Sequence, residues 1–380
     1  MAIQVFPIDT DHPGRISVRV VGPAGEDELF IESENWLDHE SMSCWLPALL
    51  PIAMTLGQDL YFNGGLADRS MENSAKAQLV LKKWFSKLKY VEVHSEFLQT
   101  SGTAINETGC FFTGGVDSFY SSLIHQNKPS KLIFVNGFDI PLSNDELASK
   151  TVEKLQAAAH EMGKELVVLS TNIREFADKY VSWGEQYHGA ALASIGLSLR
   201  FREISVGSSF STKDLHPWGS HPALDHLWSS HLTSIRHDSV SVSRIEKVRF
   251  IAQSSTAMKY LRVCWENPNN SYNCGRCEKC LRTMINLQSV CKLQQIKTLP
   301  HIIPLEDVKN LKLGSIAGLI FLKENLSQLK KNPIGNNALI DALESSIGRR
   351  VILINLNFYL KKYLPTWMIF SMRFLRSKIK

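Results

Sequence analysis

The sequence predicts an α/β protein built on a parallel sheet with helices on both faces. From residue 110 onward, short apolar runs alternate with longer stretches of helical periodicity, the pattern of successive strand–helix units. The runs are apolar throughout, as is typical of strands buried on both sides. The 380 residues, 44% hydrophobic and 21% charged, exclude a disordered chain and allow two or three domains.

Residues 1–105 are predicted to form an N-terminal α+β accessory region. Alternation of apolar and polar residues at 16–22 and 28–33, with the sequence PAGED between them, predicts a β-hairpin. Helical periodicity follows at 42–56 and 73–88. The region carries no catalytic signature, so we interpret it as a scaffold or a partner-binding surface.

Residues 106–295 are predicted to form the main α/β domain. Its predicted strands are 110–113, 131–136, 165–170 and 203–207. Its predicted helices are 117–126, 145–161 and 188–201. In open parallel sheets ligands bind at the carboxyl ends of the strands, so functional residues are expected directly after them.

Residues 296–380 are predicted to be a helical, basic C-terminal region. From Arg349 to Lys380 there are eight basic residues and no acidic one. The most apolar stretch, 351–372, is divided by Pro365 and two lysines into halves, each shorter than the about 20 residues of a spanning helix. No transmembrane segment is therefore predicted. We interpret the stretch as a helical tail packed on its own domain or on a partner, with a basic interfacial anchor as the alternative.

Net charge and cysteine content indicate the kind of partner and the cellular compartment of the protein. A net charge of +5, from 42 basic and 37 acidic residues, is no strong signal for nucleic-acid binding. The first residues lack the basic and apolar segments of a secretory signal peptide. The seven cysteines are odd in number and four are clustered, which favours metal binding over disulfides and predicts a reducing, cytoplasmic location.

The sharpest motif is a glycine loop in the segment CFFTGGVDSFYSSL, which begins at Cys110. An apolar strand leads into Gly114 and Gly115, whose missing side chains let backbone N–H groups approach a phosphate chain. Asp117 and Ser118 fall at the start of a helix, where N–H groups and the helix dipole favour anions. We predict that Ser118 donates its hydroxyl to a phosphate and that Asp117 helps to hold Mg²⁺, with a simple glycine turn as the alternative. No lysine follows the glycines, so the loop is not a Walker-type P-loop.

The segment after the fourth strand, 208–230, is predicted to be a loop beside the strand ends. Histidines recur here every five residues, a spacing that fits no helical face: His216, His221, His226 and His231. We interpret the segment as a substrate-binding lid, in which Trp218 stacks on a flat base and histidine or Asp225 reads its edge. A second metal site and a purely structural loop are the alternatives. The predicted substrate-binding residues are Ser208, Ser209, His216, Trp218, His221 and Asp225.

Four cysteines predict a structural zinc site, with the spacing Cys-x9-Cys-x2-Cys-x2-Cys. They are Cys264, Cys274, Cys277 and Cys280. Two-residue gaps let consecutive thiolates converge on one ion, and four thiolates suit tetrahedral zinc with no open position. An iron–sulfur cluster is the competing interpretation. The remaining cysteines, Cys44, Cys110 and Cys291, are predicted to be small buried residues.

The glycine loop resembles the SGGxDS loop of the PP-loop ATP pyrophosphatases, with Thr113 in the first position. Followed by the four-cysteine pattern, it is similar to the 7-cyano-7-deazaguanine synthase (QueC) family over about residues 110–290. The resemblance implies the PP-loop fold and an ATP- and Mg²⁺-dependent carbon–nitrogen ligase that adenylates 7-carboxy-7-deazaguanine and releases AMP and pyrophosphate. The implied ATP-binding residues are Thr113, Gly114, Gly115, Val116, Asp117, Ser118, Asn136 and Gly137. Asp117 and Ser118 are also the predicted catalytic residues.

The long flanks make the chain similar to QueC-like proteins of anti-phage defence systems, including the Qat and type IV CBASS systems. That resemblance implies transfer of the deazaguanine to a protein amine, with the protein acceptor docked by the flanking regions. Ammonia, which gives an amide or a nitrile, is the alternative acceptor. A PP-loop tRNA-modifying enzyme that transfers sulfur and a non-catalytic nucleotide-binding scaffold are the other interpretations. Lys213, Arg236 and Lys247 are candidates for neutralising pyrophosphate, with plain surface charge as the alternative.

Overall fold

A computed structural model of the chain describes residues 2–23, 25–99, 102–124, 129–311, 316–331 and 335–349. The chain divides into two compact units, one of Met1–Asn273 with Gln295–Thr298 and one of Cys274–Gln294 with Leu299–Lys380. The predicted helical tail at 351–372 lies outside the described residues. The predicted domain boundaries at 105 and 295 stay a prediction.

The first unit is built on one ten-stranded sheet. Its strands are β1 (Ile3–Ile8), β2 (Arg15–Gly22), β3 (Gly25–Ser33), β4 (Leu60–Ala67), β5 (Val93–Gln99), β6 (Ile105–Phe111), β7 (Lys131–Asn136), β8 (Glu165–Thr171), β9 (Phe201–Gly207) and β10 (Ser234–Asp238). Their order across the sheet is β10-β9-β6-β7-β8-β3-β2-β1-β4-β5. The pairings are parallel except those of β1 with β2, β2 with β3, and β3 with β8. The sheet therefore runs across residue 105, because β3 pairs with β8.

Helices connect these strands. In the first unit they are α1 (Trp45–Leu56), α2 (Asp68–Trp84), α3 (Val116–Ile124), α4 (Asp145–Glu161), α5 (Ile173–Ala177), α6 (His188–Ser198), α7 (Arg244–Ile251) and α8 (Ser255–Tyr260). Two glycines show that helices cover both faces of β9. A Cβ on Gly196 of α6 would meet Ile204 at 3.3 Å, and one on Gly207 would meet Asp117 of α3 at 3.2 Å. Residues 204 and 207 face opposite sides of a strand, so the predicted α/β class is confirmed.

The strand order contains a switch point beside β6. The chain leaves β6 through α3 to β7 on one side, whereas the strand on the other side of β6 is β9, which is reached only after β8. In open α/β sheets a crevice forms at such a point, outside the carboxyl ends of the two strands. The residues after β6 and β9 therefore border the expected ligand site.

Local signals explain the elements that the sequence predicts well. The hairpin is confirmed as β2 paired with β3. Helix α4 begins where predicted because the Asn144 side chain accepts a hydrogen bond from the N–H of Leu147. Helix α2 begins at Asp68, earlier than the predicted 73, because its first turns are polar and carry no apolar stripe. Strands β1, β4, β5 and β10 were not predicted.

The described part of the second unit is helical, as predicted for the C-terminal region. Its helices are α9 (Glu278–Ser289), α10 (Leu305–Lys309), α11 (Ile316–Lys331) and a further helix over 337–349. Leu281 and Ile285 of α9 pack with Leu322 of α11 and with Leu343 in one buried apolar cluster. Within the described ranges, no helix combines the length and apolar character needed to cross a bilayer.

Candidate nucleotide and metal sites

The glycine loop lies at the switch point, between the end of β6 and the start of α3. Gly114 has a φ of 73°, a left-handed conformation that glycine adopts without strain, and a Cβ there would meet Leu155 Cδ2 at 2.8 Å. The N–H of Arg262 donates to the carbonyl of Gly114 at 2.8 Å. On the neighbouring strand β9, Gly207 lies so close to the first turn of α3 that only a small residue fits at position 207. The loop is thus fixed by backbone contacts on both sides.

Asp117, on the first turn of α3, is held by two cations from α7. Arg244 Nη1 donates to Asp117 Oδ2 at 2.7 Å, and Lys247 Nζ donates to Oδ1 at 3.2 Å. The side chains of Arg244 and Lys247 are only 6% and 1% exposed, and that of Asp117 is 21% exposed. Lys247 Nζ also donates to the carbonyl of Ser208, directly after β9. Two buried positive charges therefore lie between the glycine loop and the end of β9.

Arg262 provides a third buried cation next to the loop. The residue is 2% exposed, and its Nη2 donates to the neutral Oδ1 of Asn267 at 2.8 Å. Its Nε is buried without a hydrogen-bond partner, and within the described ranges no carboxylate forms a salt bridge with it. Asn267 in turn donates to the carbonyl of Asp139, just beyond β7. Because a buried charge without a counter-ion is costly, Arg262 favours an anion here.

The other predicted ATP-binding residues lie around the same loop. Ser118 is buried, and its hydroxyl donates to the carbonyl of Gly115 at 3.1 Å. Thr113 is exposed. Asn136 ends β7, next to β6, and its Oδ1 is buried without a hydrogen-bond partner in the described structure. A buried amide oxygen of this kind suits a donor from a ligand.

Backbone geometry fixes the residues after β7 and β9. Gly137 has a φ of 96°, and a Cβ would lie 1.9 Å from the carbonyl oxygen of Thr171, so no other residue fits. Ser208 is buried, and its hydroxyl donates to the carbonyl of Phe210 at 2.6 Å. Ser209 is exposed. The Ser208 hydroxyl is thus used within the loop, and Ser209 has the freer side chain of the predicted pair.

Part of the predicted lid is an aromatic cluster beside the end of β9. The ring centroids of Phe210 and His216 are 4.5 Å apart, and that of Trp218 lies 5.6 Å from His216 and 5.7 Å from Phe210. His188, the first residue of α6, is 5.8 Å from Trp218. Trp218 also covers Gly184, where a Cβ would meet its ring at 3.0 Å. His216 and Trp218 are therefore brought together in one aromatic cluster with Phe210.

Asp225 and His221 belong to a second, more deeply buried cluster. Asp225 is 0% exposed and accepts hydrogen bonds from Ser220 Oγ at 2.7 Å, from His221 N at 3.1 Å and from His237 Nδ1 at 2.7 Å. The His221 ring lies against Trp84, with centroids 4.8 Å apart. Burial lowers the pKa of His221 below its usual 6.5, His237 lowers it further, and Asp225 opposes both.

Three buried residues of these sites were not predicted from the sequence: Arg244, Arg262 and His237. The serine–glutamate capping box of α7 is a signal that could have found Arg244, because it places Arg244 on the first turn and Lys247 one turn later. Of the predicted cations, Lys247 reaches the loop, whereas Arg236 pairs with Glu203. Arg262 and His237 carry no local signal, since tertiary contacts bring them to the site.

The four predicted cysteines come together as a candidate metal centre. Their sulfur atoms all lie within 4.8 Å of one another. Tetrahedral zinc with Zn–S bonds of about 2.3 Å requires sulfur separations of about 3.8 Å, and Cys274 Sγ lies 3.9 Å from Cys280 Sγ. The N–H of Cys277 donates to Cys274 Sγ at 3.2 Å. The cysteines therefore fit a metal such as zinc, and no histidine belongs to any such cluster in the described ranges.

The remaining cysteines are placed as predicted in two of three cases. Cys44 and Cys110 are buried, but Cys291 is exposed. The prediction was wrong for Cys291 because it follows the end of α9 in a turn, with a φ of 58°.

Comparison with protein-family models, curated proteins and solved structures finds no match for this chain. The fold and the sites therefore define the class of protein: an α/β protein with a glycine loop at a switch point of its sheet, buried cations around that loop, and a four-cysteine cluster.

Proposed function

We propose that the chain is an ATP-dependent carbon–nitrogen ligase of the PP-loop type. The observation that carries this proposal is the glycine loop at the switch point, with buried cations on two sides. Arg244 and Lys247 lie toward β9, and Arg262 lies toward the end of β7. The proposed substrates are ATP with Mg²⁺, a carboxylate and an amine.

Charge favours a polyphosphate over a neutral ligand. Three guanidinium or ammonium groups surround the loop, and Asp117 forms ion pairs with two of them. A phosphate chain on the loop would meet the N–H groups at the start of α3 and would give Arg262 a counter-ion. When ATP binds, Mg²⁺ would neutralise phosphate charge, with Asp117 as its proposed protein ligand.

The proposed reaction needs positioning and charge stabilisation more than a nucleophilic side chain. The substrate carboxylate attacks the α-phosphorus of ATP, and pyrophosphate leaves with the electron pair of the broken P–O bond. The buried cations would stabilise the charge that develops on the leaving pyrophosphate. An amine then attacks the acyl adenylate and releases AMP.

For the carboxylate we propose 7-carboxy-7-deazaguanine, on the resemblance of the glycine loop and the cysteine pattern. The aromatic cluster of Phe210, His216 and Trp218 supports a flat ring system at the carboxyl end of β9. The cysteine cluster would hold zinc in a structural role, since four thiolates leave no open position. For the acceptor we propose a protein amine in an anti-phage system, docked by 1–105 and 296–380, with ammonia as the simpler alternative.

The test is exchange of radiolabelled pyrophosphate into ATP, with Mg²⁺ and 7-carboxy-7-deazaguanine. We expect exchange that depends on the carboxylate and is abolished in Asp117→Ala. The matched control is Asp27→Ala, which removes an exposed carboxylate paired with Lys179 and should leave exchange unchanged. ATP binding without exchange would overturn the ligase proposal in favour of a nucleotide-binding scaffold. Visible iron absorbance in the purified protein would instead favour a sulfur-transferring enzyme.

A further inference from the structure

In the buried pair of Asp225 and His237, one ring nitrogen of the histidine has no hydrogen-bond partner among the described residues. The His237 side chain is 5% exposed and the Asp225 side chain is 0% exposed. A carboxylate only accepts hydrogen bonds, so the proton of the 2.7 Å contact lies on His237 Nδ1. His237 Nε2 is then left with its lone pair, buried and without a hydrogen-bond partner in the described structure.

We infer that His237 is the general base of the ligation step, and that Asp225 is its positioning residue. The inference rests on the proposed ligase function. A histidine with a purely structural role normally has both ring nitrogens bonded when buried, so the orphan Nε2 indicates a partner that arrives with the substrate. The Nδ1–H to carboxylate contact fixes the tautomer and stabilises the imidazolium that forms when Nε2 takes a proton.

The pair lies at the edge of the sheet that carries the glycine loop. His237 is in register with Val206, one residue before Gly207 of β9. Because β9 is the neighbour of β6, strand β10 lies two strands from β6, a lateral spacing of about 10 Å. The His237 side chain lies on the same face as Val206, the face that α6 covers, whereas the first turn of α3 covers the other face.

The cluster around Asp225 also adjoins the aromatic cluster of Phe210, His216 and Trp218. A Cβ on Gly189 of α6 would lie 2.8 Å from Asp225 Oδ1, so the carboxylate sits against the first turn of this helix. Gly189 also donates its N–H to the carbonyl of Gly219, the residue after Trp218. His237, the aromatic cluster and the glycine loop therefore all lie at the carboxyl edge of β6, β9 and β10.

The proposed step balances without any further reagent. The nitrogen of the amine attacks the carbonyl carbon of the acyl adenylate and forms the C–N bond. The bond from that carbon to the phosphate oxygen breaks, and AMP leaves with the electron pair. The proton lost by the nitrogen passes to His237 Nε2, where the charge of Asp225 offsets the imidazolium, and then to solvent.

The variant that tests this is His237→Asn, because the asparagine amide can still donate to Asp225 but has no group at the position of Nε2. Two reactions are measured with 7-carboxy-7-deazaguanine: pyrophosphate exchange, and amide formation from ammonium. We expect exchange within about twofold of wild type and amide formation lowered roughly 100- to 10,000-fold, the usual range for a general base. Asp225→Asn should show the same split, and the exposed His226→Asn should show neither change.

Hydroxylamine gives a readout that a structural role would not move. Hydroxylamine is a weaker base than ammonia, so after its attack the nitrogen gives up its proton to water more readily, and hydroxamate formation by His237→Asn should stay within about tenfold of wild type. Amide formation at the wild-type rate in His237→Asn would overturn the inference but not the proposed function. Equal loss of exchange and amide formation in both His237→Asn and Asp225→Asn would also overturn it, in favour of a structural pair. Absence of exchange in the wild-type protein would overturn the proposed function itself, and the inference with it.

Discussion

Replacing Asp117 with asparagine should destabilise the ligand-free protein and make it more responsive to anions. Asp117→Asn keeps the shape of the side chain but removes the charge that faces Arg244 and Lys247. Both cations are buried, so water cannot replace the lost carboxylate. The substitution therefore leaves two buried positive charges next to a neutral amide.

The expected size of the effect follows from this burial. Removing one partner of a buried ion pair costs about 3–5 kcal/mol, and the remaining exposure of Asp117, 21%, favours the lower end. With an unfolding entropy of roughly 2 cal/mol/K per residue over a unit of about 280 residues, 3 kcal/mol lowers Tm by about 5 °C.

Thermal unfolding with and without millimolar pyrophosphate, in the absence of Mg²⁺, measures both parts of the prediction. Pyrophosphate should raise the Tm of Asp117→Asn by more than that of wild type, because in wild type Asp117 competes for the same cations. The control Asp27→Asn removes the same charge from an exposed pair, worth about 0–1 kcal/mol, and should change Tm by less than about 2 °C. If Asp117→Asn and Asp27→Asn behave alike, the glycine loop is not flanked by an anion site of this kind.

Three further predictions concern the metal, the thiols and pH. Cys277→Ser should lower zinc content from about one ion per chain and reduce the soluble yield, because structural zinc contributes directly to folding; full zinc content by elemental analysis would contradict the assignment. Alkylation of the native protein should label the exposed Cys291 and spare Cys110, because burial raises the pKa of Cys110 to about 12 and keeps it a thiol. The labelled positions are identified by peptide mass spectrometry, and equal labelling of the two cysteines would contradict the prediction. Because the pKa of His221 is lowered in the folded protein, the neutral imidazole stabilises the fold at pH values above 6.5, its usual pKa. This contribution is lost as the pH falls through the pKa of the folded state. Tm should therefore fall less between about pH 7.5 and about pH 5.5 in His221→Gln than in wild type, and identical slopes would count against a buried neutral imidazole.

The elements that carry their own local signals could be predicted from the sequence. Helix α4 has a capping asparagine and acidic residues in its first turn, and β7 is a continuous apolar run. The glycine loop and the cysteine spacing are short motifs, so they were found without knowledge of the fold. The predicted ATP and Mg²⁺ roles of these residues stay predictions.

The missed elements depend on partners far away in the sequence. Strand β10 reads SIRHD, which is mostly polar, and it is a strand because it pairs with β9. Strand β4 contains Gly64 and Gly65, which weaken a strand pattern, yet it lies between β1 and β5. The same reason applies to the site: nothing in the sequence around Arg262 shows that its guanidinium is buried beside the glycine loop.

The pairing of β3 with β8 has a consequence for the newly made chain. Thr171 Oγ1 donates to the carbonyl of Phe30, 141 residues earlier. At about 5–20 residues per second, the ribosome leaves β3 without this neighbour for on the order of ten seconds. During that time the backbone groups of β3 form an open sheet edge, the kind of surface that seeds aggregation. The newly made chain is therefore most exposed to aggregation between the synthesis of β3 and that of β8, and deleting β3 would expose the edge of β8 permanently.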